Sequence, residues 1–450
     1  MKDSVTQSYS TLHPFTYMPG YSSLTSQGFH ESNTYLIRGE GVWVYDQHNK
    51  RYMYATTAVP SVGLCNPYVT DKIALQYATL NFASTCGQTH PLVEQLSQRL
   101  IGLCGEPFGQ VFYSNDGSGA VETAMRLARQ YYLSLGENKR TKFISLEGNY
   151  HGTTFGTGSV THMGINESFG PALENCYSVP TPNKYRPPID GTYEQVIQYC
   201  LDLLEETIFE NGPDEIAAVL LEPIQGVNGI IEIPRSYIQK VRRLTERYGI
   251  LLIMDEVGTG IGRTGGWLMT HELDVSPDLL AVSKGLTGGY FPMGATLVSR
   301  AIASQLFDRG GIFLHGSTQS GHPVGCAAAM AVLDCLEQDQ LIDQIKPKGE
   351  HIINSFRRAL STHPHVGDIR GKGLMIAIEM VSDRINKGAV SYDYGKRLSA
   401  ALRHEGVLGN WFNSILILYP PLSSTWNEIE VLIDGVVRAI ESSNSSIPLE

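Results

Sequence analysis

The chain has 450 residues, which is more than one hydrophobic core usually supports, so we expect two domains around a shared cleft. Apolar residues make up 42% and charged residues 18% of the chain, as is typical of a globular protein that buries much of its surface. The 34 basic and 45 acidic residues leave a net charge of −11, which argues against nucleic acid as a partner.

The cysteines and the first residues of the chain indicate its compartment. The seven cysteines are odd in number and contain no C-x-x-C pair, as is typical of reduced thiols in a cytoplasmic protein. Residues 1–7 carry no basic leader followed by an apolar run, and no run in the chain is long enough to cross a bilayer. We therefore expect a cytoplasmic protein without a membrane partner.

In chain order, the first predicted element is a small hairpin formed by residues 43–46 and 51–54. Between about 107 and 300, short apolar strands then alternate with helices of amphipathic spacing. Such alternation predicts an α/β fold, with a mostly parallel sheet and helices on both faces. In such a sheet, ligands bind beyond the carboxyl ends of the strands.

After about residue 330 the pattern changes to helix, short strands and helix. Thr425 and Glu428 have the spacing of a capping box for the last helix. We expect the two chain ends to form one smaller α+β domain, in which residues 1–60 join residues 326–450. Residues 61–325 then form the large domain that carries the site.

A lysine and an aspartate each end an apolar run. Lys284 follows residues 279–282 and is itself followed by glycines; taken alone, this segment favours a surface lysine at a strand end. However, residues 250–254 also form an apolar run, and it ends in Asp255. Residues that end neighbouring parallel strands can face each other across one small ring.

Pyridoxal phosphate requires such a pair. A lysine binds its aldehyde as a Schiff base, while an aspartate keeps the pyridine nitrogen protonated so that the ring can accept electrons. A lysine at the end of an apolar strand is also expected to be buried, and burial lowers its pKa towards the nucleophilic free base. The sequence therefore predicts that Lys284 and Asp255 bind this cofactor.

Two segments are candidates for the phosphate of the cofactor. The turn 114–120 joins a strand to a helix, where unpaired backbone N–H groups and the Ser118 hydroxyl suit a dianion. An ordinary capped turn explains the same residues equally well. Thr318 offers a second hydroxyl, although its segment is a weaker candidate.

Three further side chains follow predicted strands. Tyr150 comes after residues 143–146 and could stack on a pyridine ring, although packing is the more usual role of a tyrosine. Val257 follows Asp255 closely and could cover the other face of the ring or belong to the core. Glu222 ends the strand 216–221, and the pattern leaves open whether it reaches the site.

Residues 260–265 match the G-x-G-x-x-G pattern of dinucleotide sites. Asp255 and Glu256 stand just before these glycines, where negative charge would repel a pyrophosphate. No amphipathic helix follows before Pro277. We therefore favour the pyridoxal phosphate interpretation.

Together these motifs resemble the class III aminotransferases, a pyridoxal phosphate family that includes ornithine, 4-aminobutyrate and omega-amine transaminases. The main matching segments are 254–265 and, at the family's distance, 283–295. Further segments match in the same order, so that the resemblance covers nearly the whole chain: 117–118, 150–152, 222–226 and 315–323. The resemblance implies the type I fold of pyridoxal phosphate enzymes.

The resemblance also implies roles for the residues around the ring. Lys284 would bind the cofactor and, once released, move a proton between the substrate carbon and the cofactor carbon as a general acid and base. Asp255 would pair with the pyridinium. Tyr150 would stack on one face of the ring and Val257 would press on the other, with Glu222 beside them in the site.

The resemblance implies that residues from two chains form each phosphate site. Gly117 and Ser118 would hold the phosphate from one subunit, while Thr318 reaches over from the partner in a homodimer whose active sites lie at the interface. An amine or amino-acid donor would then pass its amino group to a carbonyl acceptor through pyridoxamine phosphate. A lyase or aminomutase would also retain Lys284 and Asp255, so that alternative stays open.

Three positions depart from the family pattern. Gly258 replaces a frequent glutamine or other polar residue, and Gly119 replaces a frequent glutamate. Ile417 stands where many relatives have an arginine that binds a substrate carboxylate, so either the substrate lacks a carboxylate there or another arginine replaces it. Glu222, which pairs with that arginine in the relatives that have one, would then be free to bind a cationic or hydroxylated substrate.

Overall fold

The computed structural model describes residues 35–308 and 310–443. Its strands are β1 (Leu36–Glu40), β2 (Trp43–Asp46), β3 (Arg51–Tyr54), β4 (Phe108–Ser114), β5 (Lys142–Leu146), β6 (Cys176–Val179), β7 (Ile216–Leu221), β8 (Ile224–Gln225), β9 (Ile231–Glu232), β10 (Leu251–Asp255), β11 (Leu279–Val282), β12 (Gly294–Ser299), β13 (Val366–Lys372), β14 (Met375–Met380), β15 (Val407–Leu408), β16 (Asn410–Phe412) and β17 (Ile415–Leu418). Its helices are α1 (Pro67–Thr79), α2 (Pro91–Cys104), α3 (Gly117–Ser134), α4 (Phe155–Ser159), α5 (Tyr193–Glu210), α6 (Arg235–Tyr248), α7 (Met269–Leu273), α8 (Arg300–Phe307), α9 (Pro323–Gln338), α10 (Ile345–Ala359), α11 (Tyr392–His404) and α12 (Trp426–Ser443).

The central element is a seven-stranded sheet with the order β4-β12-β11-β10-β7-β5-β6. Strand β12 runs antiparallel to both of its neighbours, β4 and β11. The pairings that these five strands make with one another are all parallel: β11, β10, β7, β5 and β6. The prediction of a mostly parallel sheet is confirmed.

Both faces of this sheet are covered by helices, as predicted. Successive residues of β10 point to opposite faces: Leu252 and Met254 belong to one core cluster, and Leu251 and Ile253 belong to another. Helices α5, α6 and α9 pack in the first cluster, whereas α3 and α8 pack in the second. Burial on both faces explains why the strand sequences read as continuous apolar runs.

The first strands of the described chain meet a strand of its C-terminal part. The predicted hairpin is formed by β2 and β3, which pair antiparallel. Strand β15 from the C-terminal part pairs parallel with β3 and aligns Val407 with Met53. Strands β13, β14, β17 and β16 form a separate four-stranded sheet.

The last helix begins as predicted. The Thr425 hydroxyl accepts a hydrogen bond from the backbone N–H of Glu428, and the Glu428 carboxylate accepts one from the backbone N–H of Thr425. These reciprocal bonds satisfy N–H groups that the first turn would leave unpaired. The apolar face of α12 is buried against the rest of the C-terminal part.

The domain boundaries stay a prediction. The boundary at residue 325 falls inside α9, and the first 34 residues of the predicted 1–60 segment lie outside the described residues. Within the described residues, no helix has the length and apolar character needed to cross a bilayer.

Candidate active site

Two strand ends place the predicted lysine and aspartate together. Asp255 ends β10 and aligns with Ala281 of the neighbouring parallel strand β11. Lys284 lies two residues after the end of β11 and begins a 3-10 helix that ends at Leu286. Its φ of 36° is in a region that non-glycine residues rarely adopt, and such strain is concentrated at functional sites.

A cavity of about 430 Å³ opens at this edge of the sheet. This volume is within the range of roughly 300–1,000 Å³ that is typical of small-molecule sites. The predicted site residues that line it are Gly117, Ser118, Tyr150, Glu222, Asp255, Val257 and Lys284. Thr318 is exposed and does not line the cavity of its own chain.

The environment of Lys284 favours its neutral form. The side chain is surrounded by protein and keeps some accessible surface because it faces the cavity. Burial lowers the pKa of Lys284, while the nearby carboxylates of Asp255 and Glu222 act in the opposite direction. The net lowering, which the sequence predicted, makes the free amine available as a nucleophile and base.

Asp255 is held in a fixed orientation by two donors. Its Oδ1 atom accepts a hydrogen bond of 2.9 Å from the backbone N–H of Val257. Its Oδ2 atom lies 2.8 Å from Nδ1 of His151, which is fully buried. His151 was not predicted as a site residue; its one signal in the sequence was its place directly after Tyr150.

The candidate phosphate site is at the N-terminus of α3. Gly117 and Ser118 are in the first turn of this helix, where backbone N–H groups have no partner within the helix. The Asp116 side chain caps the helix by accepting a hydrogen bond from Gly119. A Cβ atom at Gly152 would collide with the Ser118 hydroxyl, so a glycine there leaves room for that hydroxyl at the cavity.

Tyr150 and Glu222 are joined at the wall of the cavity. The backbone N–H of Tyr150 donates to Oε1 of Glu222 over 2.8 Å, and the backbone N–H of Gly226 donates to Oε2 over 3.1 Å. Burial nevertheless raises the pKa of Glu222 to about 7. Glu222 therefore reaches the site, which the sequence had left open, and it can change protonation state near neutral pH.

The two glycines that depart from the family pattern differ in the space around them. A Cβ atom at Gly119 would be 2.9 Å from the Cβ of Ser114, so a longer side chain there requires a shift. A Cβ atom at Gly258 would be 3.6 Å from Nζ of Lys284. A side chain at residue 258 would thus point at the reactive amine.

Ile417 lies in an apolar cluster behind the cavity. It is fully buried on β17 and shares this cluster with Ala58, Ile224 and Tyr419. It does not line the cavity itself. Among the described residues that do, the charged side chains are Lys284 and three carboxylates.

The G-x-G-x-x-G segment has a structural role. Arg263 within it is buried and donates hydrogen bonds to the backbone carbonyls of Pro60, Leu374 and Pro420. The helix that follows, α7, is only five residues long, as expected from the absence of an amphipathic run. The segment therefore ties three distant parts of the chain together behind the site.

The residues present fit pyridoxal phosphate. An amine, a carboxylate fixed by two donors and the N-terminus of a helix all face one cavity. Because the amine is shifted towards its neutral form, it suits the aldehyde of the cofactor, and the helix N-terminus suits its phosphate.

Comparison with known proteins identifies the same chemistry. The sequence profile of the family described as aminotransferase class-III matches residues 26–440. The chain is 32% identical over 440 residues to the adenosylmethionine-8-amino-7-oxononanoate aminotransferase of Geobacter sulfurreducens, which covers 96% of this chain and 95% of the relative.

Two solved structures share the fold over nearly their full lengths. An amine transaminase from an uncultivated Pseudomonas species, in its PLP-bound form, has a TM-score of 0.91 and 35% identity, covering 96% of this chain and 100% of the other. An (S)-enantioselective omega-transaminase from Thermomicrobium roseum has a TM-score of 0.90 and 33% identity, covering 96% of each chain. These findings do not favour a lyase or aminomutase. The chain belongs to the class III aminotransferases and is a pyridoxal-phosphate-dependent transaminase of fold type I.

Proposed function

We propose that amino transfer takes place in the cavity around Lys284, with Lys284 as general acid and base and Asp255 as partner of the pyridine nitrogen. The observation that carries this proposal is that both side chains, from adjacent parallel strands, line one cavity. Bound pyridoxal phosphate supplies an aldehyde carbon and an electron sink. Because burial favours its neutral amine, Lys284 can take a proton at Nζ from the substrate carbon and return it.

The other residues that line the cavity position the cofactor. Gly117 and Ser118 bind its phosphate through backbone N–H groups and a hydroxyl at the N-terminus of α3. Tyr150 and Val257 contact the two faces of its ring. Their positions on the wall of the same cavity as Lys284 support these roles.

The acceptor is a carbonyl compound other than a simple dicarboxylic acid. In the described part of the chain, the cavity is lined by the carboxylates of Asp116, Glu222 and Asp255, with Lys284 as the cation. A second substrate carboxylate would be repelled by these groups and would lack the bidentate guanidinium that usually binds it. Glu222 instead suits a substrate that carries a cationic or hydroxylated group.

The substrate class is tested on the cofactor-loaded protein. Its visible spectrum is followed while single amines are added, and the loss of the cofactor's absorbance band marks each donor. We expect 1,4-diaminobutane to react with a lower KM than butylamine, because only the diamine carries a second cation for Glu222. Glu222→Gln should remove that difference and leave butylamine unchanged. An equal KM for both amines in the wild type would overturn the role of Glu222, and no reaction with any amine would overturn the proposed function.

A substitution at Ile417 tests the missing arginine. Ile417→Arg should shift the preference among acceptors towards dicarboxylic acids, with Ile417→Met as a control of similar volume. Because residue 417 is buried among apolar side chains, the thermal midpoint of each variant is measured as well. A folded Ile417→Arg protein with an unchanged preference would count against the proposal.

We further propose a homodimer whose active sites lie at the interface. Thr318 is exposed in a segment that also carries the exposed apolar residues Ile312 and Leu314. The neighbouring Ser317 accepts a hydrogen bond from Asn115 in the phosphate turn, so the segment lies close to the site. Because Thr318 is exposed and does not line the cavity of its own chain, its position supports the assignment to the phosphate of the partner subunit.

Mixed dimers test this arrangement. Lys284→Ala and Thr318→Trp are each expected to inactivate a homodimer, whereas a hybrid of the two variants has one site with both residues intact. Recovery of activity on mixing, together with a dimeric mass by light scattering, is the expected result. A monomeric mass or the lack of any recovery would contradict the shared site.

A cytoplasmic location is also proposed. All seven cysteines lie in the described part of the chain and are free thiols, four of them buried. Free thiols persist in reducing compartments. Fractionation of the source cells, with activity recovered outside the cytoplasmic fraction, would contradict the proposal.

A further inference from the structure

His151 lies at the wall of the cavity and contacts Asp255 through one ring nitrogen. Its Nδ1 atom is 2.8 Å from Oδ2 of Asp255, and its Nε2 atom is 3.0 Å from Nδ2 of Asn149. The ring is buried, and Asn149 is fully buried. The titratable groups that surround His151 are Asp255, Glu222 and His162.

A buried chain of amides extends from His151 towards the protein surface. Oδ1 of Asn149 accepts a hydrogen bond of 2.6 Å from Nε2 of Gln225, which is also fully buried. The same Nε2 atom donates to the backbone carbonyl of Glu147 over 2.9 Å. Oε1 of Gln225 accepts a hydrogen bond of 2.9 Å from Nδ2 of Asn228.

The Glu147 carbonyl fixes the direction of every bond in this chain. A carbonyl oxygen can only accept, so the atom of Gln225 that faces it must be the amide nitrogen. That nitrogen must then face the oxygen of Asn149, which turns the Asn149 amide nitrogen towards His151. Nε2 of His151 is therefore an acceptor without a proton, and the proton of the neutral ring is on Nδ1, where it is donated to Asp255.

We propose that Asn149 and Gln225 are positioning residues for the pyridine-nitrogen site, because they hold His151 as the neutral Nδ1–H tautomer. This inference rests on the role proposed above for Asp255. The other neutral tautomer would turn a lone pair towards Oδ2 of Asp255 and repel it. A doubly protonated ring would place a cation beside the carboxylate, where it would compete with the pyridinium for the same negative charge.

We call the hydrogen-bonded residues His151, Asn149 and Gln225 the relay. Asn149→Asp tests it, because the substitution places a carboxylate where His151 now meets a donor and thereby favours the doubly protonated ring. We expect nitrogen NMR of histidine-labelled protein at pH 8 to show a proton only on Nδ1 of His151 in the wild type and on both nitrogens in Asn149→Asp; His151→Gln assigns the signals. The dissociation constant of pyridoxal phosphate should rise roughly tenfold, because the imidazolium would then compete with the pyridinium for the Asp255 carboxylate.

Two further variants complete the test. Gln225→Glu replaces the donor to Asn149 and should change the same two readouts, which keeps the test open if Asn149→Asp does not fold. Asn175→Asp changes an exposed asparagine in the same way and should leave both readouts unchanged. A wild-type proton on Nε2, or folded relay variants with wild-type cofactor affinity, would overturn the relay.

The role of Asp255 is tested separately. Asp255→Asn should lose amino transfer even if the relay variants behave like the wild type. If instead Asp255→Asn binds the cofactor and reacts normally, the proposed function fails at that residue, whatever the protonation of His151.

Discussion

Gly117 and Val257 lie so close together that no side chain fits between them. A Cβ atom at Gly117 would be only 2.6 Å from Cγ1 of Val257. Gly117 begins α3 at the proposed phosphate site, whereas Val257 follows β10 beside Asp255. The contact therefore couples the position of the phosphate turn to the position of the side chain proposed to cover the cofactor ring.

Gly117→Ala should weaken the binding of pyridoxal phosphate roughly tenfold, since overpacking of this kind costs about 1–3 kcal/mol and Val257 must move. Titration of the cofactor-free protein, followed by visible absorbance, measures the affinity. Adding Val257→Ala should recover part of it. Gly102→Ala in α2 is the matched control, because a Cβ there meets nothing within 4 Å. Equal affinities for the two alanine variants would contradict this prediction.

Glu222 should make the cofactor-free protein less stable as the pH rises. Its folded pKa of about 7 exceeds the ordinary value of 4.5, so between these pH values the folded state holds a proton that the unfolded state has lost. The free energy of unfolding therefore falls as the pH rises through this window, and the fall is complete above pH 7. At pH 8, Glu222→Gln should therefore unfold with a free energy up to about 3 kcal/mol higher than the wild type. This difference in the free energy of unfolding should shrink as the pH falls towards 4.5.

Urea unfolding at several pH values measures this difference. Glu206→Gln, on the exposed side of α5, is the matched control. A gain for Glu222→Gln that stays constant from pH 8 to pH 5 would show that burial of the charge is not its cause.

Lys284 should show the opposite dependence on pH. Because its folded pKa is lowered by burial, the unfolded state binds more protons between that lowered value and 10.5, and stability rises with pH across this window. Lys284→Met should thus stabilise the cofactor-free protein at pH 7, and its advantage should fade towards pH 10.5. Thermal unfolding of this variant beside Lys139→Met, which changes an exposed lysine, gives the comparison. An advantage that grows with pH would refute the prediction.

Arg263→Met should lower the free energy of unfolding by roughly 3 kcal/mol or more, because a buried acceptor that loses its donor costs about 1–3 kcal/mol. Three backbone carbonyls, those of Pro60, Leu374 and Pro420, lose their donor together. Urea denaturation beside the exposed-site control Arg129→Met measures the effect. A loss no larger than that of the control would disprove the structural role of Arg263.

Local features of the sequence were sufficient to predict several elements. The capping box of Thr425 and Glu428 joins residues only three apart, and the hairpin of β2 and β3 joins neighbouring strands. The placement of Lys284 and Asp255 at strand ends followed from apolar runs that end in a charged residue. In each case the information lies within a few residues, where backbone geometry alone decides which groups can meet.

Other features depended on contacts between distant residues. Strand β12 is inserted antiparallel between β4 and β11, a pairing that its own apolar run does not specify. The position of Ile417 behind the cavity depends on the pairing of β17 with β14, which sets the face its side chain occupies. The roles proposed for Thr318 and for the subunit interface likewise concern contacts between chains.

The sequence by itself determined the alternation of strands and helices in the central part of the chain and the two reactive groups at the ends of apolar runs, Asp255 and Lys284. These features depend on a period of two or 3.6 residues and on the residues that follow a strand, which are local properties of the chain. Only the tertiary structure decided that His151 reaches Asp255 from 104 residues away and that Arg263 binds three separate segments. Such partners are selected by the packing of the whole core, since a donor can satisfy any buried acceptor that the fold brings within hydrogen-bonding distance.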